Sequence, residues 1–357
     1  MKASPSIRQK LGAAVLDWPP FELRLRNSWT HIRNRDESLA PAPRGQGVAC
    51  NWRWTSDLHV AKVFPALGAR LMRRCLLDWP IEFAEEFRPS REIPGVSFVI
   101  GHRGRERIPL LLATISTIAA QQGIDCECIV VEQSDSMDAR PLLPHWVRHV
   151  HTPLPHADLP FCRAWALNVG ARLARGKVLV FHDNDMLVPS AYAAELWARH
   201  EEGFEAVNLK RFVFYLADGH SRRIEAAGRI HADEAPEAVV QNLEAGGSVS
   251  MTKRTFLEIG GFDESFVGWG GEDNELWERA VTRTHWPYAY LPIIHLHHAA
   301  QPRKADPGNA NTLRQAALSQ TDARTRSMEL SARAFGNPDG LSVPWRSGSR
   351  ISLPRAT

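Results

Sequence analysis

Two carboxylates two residues apart, in Phe181-His182-Asp183-Asn184-Asp185, follow an apolar run and form the first group that can do chemistry. At a strand end such a pair divides labour. One carboxylate holds a hard divalent cation, and the other accepts hydrogen bonds from a ligand or a metal-bound water. Oxygen ligands suit Mg2+ or Mn2+, and these ions usually also take substrate phosphates. An Asp/Asn turn that merely ends a strand has the same composition. The second group is Gly268-Trp269-Gly270-Gly271-Glu272-Asp273. A tryptophan between glycines has little local core to join, and its exposed indole is a platform for a sugar ring. The carboxylates that follow open a helix, where they complement its dipole, and a carboxylate beside a bound sugar is a ready general base. The third group is His295, His297 and His298, closing the apolar run 291–296. Neutral imidazole binds Mn2+ or Zn2+. In a strand His295 and His297 share a face, whereas a turn lets His295 and His298 converge. A histidine cluster with no metal is the plain alternative.

Several elements must position these groups. Residues 96–100 read as a buried strand ending at Gly101, followed by a helix over about 108–122 that Gly123 stops. Residues 128–131 and 146–151 read as further strands, 161–174 as a helix closed by Gly176, and 177–181 as another strand. Strands alternating with helices of this length predict an α/β fold with a doubly wound, mainly parallel sheet. Ligands in such sheets bind beyond the C-terminal strand ends. That gathers residues 101–107, 132–135 and 182–185 around one crevice.

Residues 1–93 form an extension, with a helical window over 57–78 in which Pro65 marks a kink or a first turn. It holds five of the 12 tryptophans (Trp18, Trp29, Trp52, Trp54, Trp79) and a loop at 40–45. Packing on the domain that follows is its simplest role. Acceptor recognition, partner docking and contact with an anionic membrane surface are the others. Residues 94–305 form the α/β domain. A helix over 312–334 and a mobile basic tail from 336 follow.

The acidic middle, with 20 Lys/Arg against 27 Asp/Glu over residues 91–300, lies between basic ends. This distribution argues against a nucleic-acid-binding core and suits a cation site. No apolar run is long enough to span a membrane, and the first 18 residues lack the pattern of a secretory signal. The five cysteines are odd in number and scattered. These features predict reduced thiols and a cytoplasmic location, with peripheral contact at the inner face of the plasma membrane. Cys126 and Cys128 have the wrong spacing for zinc and read as strand packing.

Together the segments resemble the β-1,4-galactosyltransferase type of GT-A glycosyltransferase, including related bacterial enzymes, over roughly residues 94–300. The motifs are Gly246-Gly247-Ser248-Val249-Ser250-Met251-Thr252-Lys253, Gly260-Gly261-Phe262, the Gly-Trp-Gly-Gly-Glu-Asp string, Phe161-Cys162-Arg163-Ala164, Leu167-Asn168-Val169-Gly170, and the Asp183–Asp185 pair. The resemblance implies a metal (Mn2+, with Mg2+ as the alternative) on Asp185 and His298, and nucleotide contacts from Asp183, Phe161, Arg163 and Arg103. It implies acceptor binding at Trp269, Gly270 and Gly271, support for substrate hydroxyls by Glu272, and Asp273 as the general base. His295 stands where the animal enzymes carry methionine, which adds a third, harder ligand. Gly101-His102-Arg103-Gly104-Arg105 departs from the family's first loop, and Glu244 replaces an aromatic residue that influences donor choice. Arg105, Arg107 and Glu106 read as a solvated charge run.

The implied reaction is inverting transfer of a hexose or N-acetylhexosamine from a UDP-sugar to a glycan or lipid-linked glycan acceptor, in polysaccharide biosynthesis. The glycines around Trp269 would let that loop close over the donor. Two other readings are a sugar-nucleotide nucleotidyltransferase, which leaves Trp269 unexplained, and an inactive glycosyltransferase-like binding subunit, against which the intact Asp183, Asp185, Asp273 and His298 speak.

Overall fold

The computed structural model describes residues 5–43, 47–49, 55–87, 93–154, 159–299 and 309–340. Arg44 and Gly45 of the expected loop, Cys50, Trp52, Trp54, the boundary at 305 and the tail beyond 340 lie outside them.

The α/β expectation holds. A seven-stranded sheet runs in the order His285–Trp286, Ala206–Val207, Ser248–Thr252, Val178–His182, Val96–His102, Cys126–Gln133, Arg148–Thr152. The last four are mutually parallel, and Ser248–Thr252 runs antiparallel to both of its neighbours. Successive side chains on a strand face opposite ways, and Val96–His102 shows the consequence. Phe98 and Ile100 pack on one face with Leu111 and Ile115, while Val99 packs on the other with Ala166 and Val169.

Among the described residues of the N-terminal region, four helices form: α1 (Ile7–Leu16), α2 (Trp18–Asn27), α3 (His59–Val63) and α4 (Pro65–Asp78). Pro65 occupies the first turn of α4, where its missing N–H costs nothing. Phe21, Leu25, Trp29, Leu71 and Met72 are buried with Phe212, Phe214 and Ile294, so this region shares a core with the following α/β part. Helices α5 (Ile108–Ala119) and α6 (Arg163–Leu173) cover the two faces of the large sheet. Then come α7 (Tyr192–Glu201), α8 (Asp218–Ala227), α9 (Lys253–Glu258) and α10 (Glu272–Ala280).

The helix expected over 312–334 is two helices, α11 (Ala310–Leu318) and α12 (Ala323–Ser331). Asp322 breaks it: its side chain accepts from the backbone N–H groups of Arg324 and Thr325 and so starts a new helix. A fully buried ion-pair network ties α12 to α10. Arg279 Nε and Arg326 Nη1 each donate to Glu275 Oε1 at 2.8 Å. Cys75, Cys126, Cys128 and Cys162 are buried free thiols, as packing roles require.

A second, five-stranded sheet has the order Ser56–Asp57, Ala238–Gln241, Lys210–Tyr215, Leu291–His295, Met186–Leu187. Its last pairing sets Met186 opposite His295. The loop leaving the large sheet is thereby stitched to the histidine segment.

Candidate active site

Strand Val178–His182 delivers Asp183 and Asp185 at its C-terminal end, where Asp183 N–H donates to Gly247 O at 2.8 Å. Two residues on, the Met186–His295 pairing takes over, and Leu296 N–H donates to Asp185 O at 2.8 Å. The result is a cluster of Asp185, His295 and His298, whose ligand atoms lie within 4.8 Å of one another. His298 Nε2 is 3.3 Å from Asp185 Oδ2, and His295 Nε2 is 3.8 Å from Oδ1. Burial, partly offset by Asp185, holds the His298 imidazole below its usual pKa, which favours the neutral ring that a metal ligand requires. Tyr215 stacks on His295 with centroids 4.3 Å apart, which fixes the ring. The alternative His295–His297 pair is not formed, because His297 turns to Asp218 on α8, at 3.6 Å.

These residues fit a divalent cation. Asp185 Oδ1 is buried with no hydrogen-bond partner, an arrangement that costs free energy unless something occupies it. One carboxylate and two imidazoles suit Mn2+.

The second half of the site is built around Arg163, at the start of α6. Its Nε donates to Asp183 Oδ1 at 2.8 Å and its Nη1 to Asp273 Oδ1 at 2.5 Å, while Glu272 Oε1 stands 3.6 Å from Nη1. One guanidinium thus joins the end of the central strand to the first turn of α10. Burial raises Asp183, but the charge and hydrogen bonds of Arg163 outweigh it and hold the carboxyl below its usual value. For Asp273 burial wins over Arg163, and the pKa is raised. Burial and the neighbouring Asp273 raise Glu272 to about 7. Both adjacent carboxyls of this turn therefore hold their protons to higher pH than free carboxylic acids do, Glu272 to about 7.

The loop leading into α10 needs its glycines. Gly268, Gly270 and Gly271 have φ of 86°, 95° and 89°, a region that L side chains avoid. Trp269 between them is 39% exposed. Helix α11 clamps the loop from outside, with Asn311 Nδ2 donating to Val267 O at 3.1 Å and to Trp269 O at 3.2 Å. Phe161 O accepts from Gly268 N–H at 3.0 Å, so Phe161 borders the same loop. Arg103 sits apart from this ion-pair cluster, its Nη1 donating to Leu159 O at 2.7 Å.

Two residues at the site were not singled out by sequence reasoning. Arg107, grouped with the charge run, is no solvated arginine. Its Nη2 donates to Asn184 Oδ1 at 3.0 Å and to Asp185 Oδ2, and its side chain is only 19% exposed. Lys210 is fully buried at the start of its strand, with Nζ donating to Ser248 O at 2.5 Å. Burial lowers its pKa to about 7, opposed by Asp273 and Asp183. The available signal was a charged pair, Lys210-Arg211, opening an apolar run.

Residues 97–258 match the glycosyl transferase family 2 model, and residues 240–287 match a model described as the N-terminal domain of galactosyltransferase. Pig beta-1,4-galactosyltransferase 5 is 26% identical over 212 residues, covering 57% of this chain and 42% of that protein. Validoxylamine A glucosyltransferase of Streptomyces hygroscopicus subsp. limoneus is 27% identical over 218 residues, covering 52% and 48%. The chain thus spans less than half the length of either relative. A solved structure, the mannosyltransferase PcManGT from Pyrobaculum calidifontis in complex with GDP-Man and Mn2+, aligns over 74% of this chain and 72% of its own, at 14% identity and a TM-score of 0.41.

Proposed function

With this chain a galactosyltransferase-like protein of GT-A type, we propose that it is an inverting, metal-dependent glycosyltransferase that moves a sugar from a UDP-sugar to a hydroxyl of a glycan acceptor. The observation that carries the reading is the Arg163 bridge, which brings a strand-end aspartate and the acidic turn behind Trp269 to one guanidinium.

Asp185, His295 and His298 would hold Mn2+, with Mg2+ as the alternative. The bound ion would supply positive charge to offset the negative charge developing on the diphosphate leaving group. Asp183 would orient the nucleotide as a carboxylate that Arg163 keeps ionised. Phe161 and Arg163 are proposed as further nucleotide contacts, and Arg103 as an outer one. Arg107 would add a cation beside the leaving group. Trp269, with the open backbone of Gly270 and Gly271, would seat the acceptor ring. Asp273 would take the proton of the attacking hydroxyl, and Glu272, partly protonated near pH 7, would donate or accept a hydrogen bond at a sugar hydroxyl. Attack opposite the leaving group, with no carboxylate in a nucleophile's role, inverts the anomeric carbon.

The test is turnover of a UDP-sugar panel with Mn2+, Mg2+ or EDTA, alongside thermal shift with UDP. Asp273→Asn should lower transfer by about 10²–10⁴-fold while keeping the UDP-induced shift. Unchanged transfer in that variant would remove Asp273 as base. The absence of any metal-dependent UDP shift in the wild type would remove the donor assignment.

A further inference from the structure

We propose that helix α1 docks this protein on an anionic lipid bilayer surface. Such docking does not depend on glycosyl transfer.

Ile7, Leu11 and Val15 are spaced i, i+4, i+8 and form one stripe along α1. They are 79%, 63% and 69% exposed, whereas Ala13, on the opposite side, is buried. Leu16 and, on α2, Leu23 are also exposed, at 51% and 63%. Helical geometry places Arg8 on one border of the stripe and Lys10 on the other. A solvated helix carries polar residues on its outer face, and this one is inverted: its large apolar side chains point away from the protein.

The charges select the occupant. Helix α1 contains no acidic residue. The next two acids along the chain are turned to internal partners, Asp17 to Arg35 at 2.8 Å and Glu22 to Arg70. Two copies meeting through this stripe would bring Arg8 and Lys10 together with no carboxylate in either α1 to pair them. An anionic bilayer instead takes the apolar stripe into its acyl boundary and the flanking cations among its headgroups. The helix is also preformed: Ser6 and Gln9 close a capping box at its start, each side chain accepting from the other residue's backbone N–H.

The test is sedimentation of the full chain with phosphatidylcholine vesicles, with and without phosphatidylserine, at low and high salt. Binding should require phosphatidylserine and weaken with salt. It should fall by at least about tenfold in Ile7→Ser/Leu11→Ser/Val15→Ser, whose side chains touch water already and whose melting temperature should hold. Arg8→Glu/Lys10→Glu should abolish the preference for phosphatidylserine. No binding to the anionic vesicles would overturn the proposal, as would binding that neither variant alters. A concentration-dependent dimer lost in the serine variant, without vesicle binding, would assign the stripe to a second copy instead.

Discussion

Replacing Arg163 with methionine removes a cation that contacts three carboxylates at the candidate site. The Arg163 side chain is 15% exposed, and it lies 2.6 Å from Asp183, 2.5 Å from Asp273 and 3.6 Å from Glu272. A unit-charge pair near 4 Å is worth about 4 kcal/mol at an effective dielectric of 20. Breaking a fully buried pair costs about 3–5 kcal/mol. Asp183 and Asp273 both reach the crevice, so water and Lys210 take up part of the loss. That leaves about 2–4 kcal/mol of destabilisation at pH 8, within the range of such buried-charge lesions. The sign of the pH dependence follows from the shifts. Asp183 has a lowered pKa in the wild type, so its contribution is present above the unfolded value and disappears as pH falls through the folded one. Without Arg163 that contribution is gone, and Asp273 and Glu272, already raised, rise further. Groups with raised pKa values stabilise at low pH and lose that contribution as pH climbs through the folded value. The defect therefore grows from pH 5 to pH 8. In thermal denaturation, Arg163→Met should melt on the order of 5 °C below wild type at pH 8 and by a smaller margin at pH 5, where the Asp183 contribution is still lost but Asp273 and Glu272 hold their protons. Equal shifts at both pH values would show that Asp273 and Glu272 do not rise further without Arg163, and the account of the acidic turn would fail.

Mn2+ at about 100 times its dissociation constant should stabilise the wild type by about 2.7 kcal/mol. Asp185→Ala should abolish that shift and His298→Ala should weaken it, as read by differential scanning fluorimetry with EDTA as the reference. Gly271→Ala should destabilise more than Gly270→Ala. Both force φ near 90°, at about 1–3 kcal/mol each, but a Cβ at Gly271 would also lie 2.8 Å from Phe266, whereas one at Gly270 meets nothing within 4 Å. Chemical denaturation of the two variants ranks them directly. Asn311→Ala removes donors to Val267 O and Trp269 O and should cost about 1–3 kcal/mol. Limited proteolysis should then cut around Trp269 faster than in the wild type, and an unchanged rate would show that α11 does not hold the loop.

Much of this protein was legible along the chain because the determining forces are local. The apolar runs ending at Gly101 and His182 name strands of the large sheet, and Gly-rich segments mark its turns, within a residue or two of the observed ends. Asp183, Asp273, Trp269 and the histidines were visible as residue types at strand ends and helix starts. The 312–334 helix was misjudged through a local rule, since Asp322 caps more strongly than the flanking helix formers propagate. What only the tertiary structure decided is which of these groups meet. Asp185 and His295 are 110 positions apart in the chain, and they adjoin because a two-residue strand after the aspartates pairs with the strand ending at His295. His298 rather than His297 joins them because the strand ends there and Asp218 draws His297 away. Arg107 and Lys210 looked ordinary in sequence, since a charge run and a strand-start lysine have no periodicity that distinguishes a buried partner from solvent. Periodicity and capping act over a few residues and set each element's faces and ends. Charge pairing across the crevice depends on sheet order and helix docking, which are fixed only when the whole core closes.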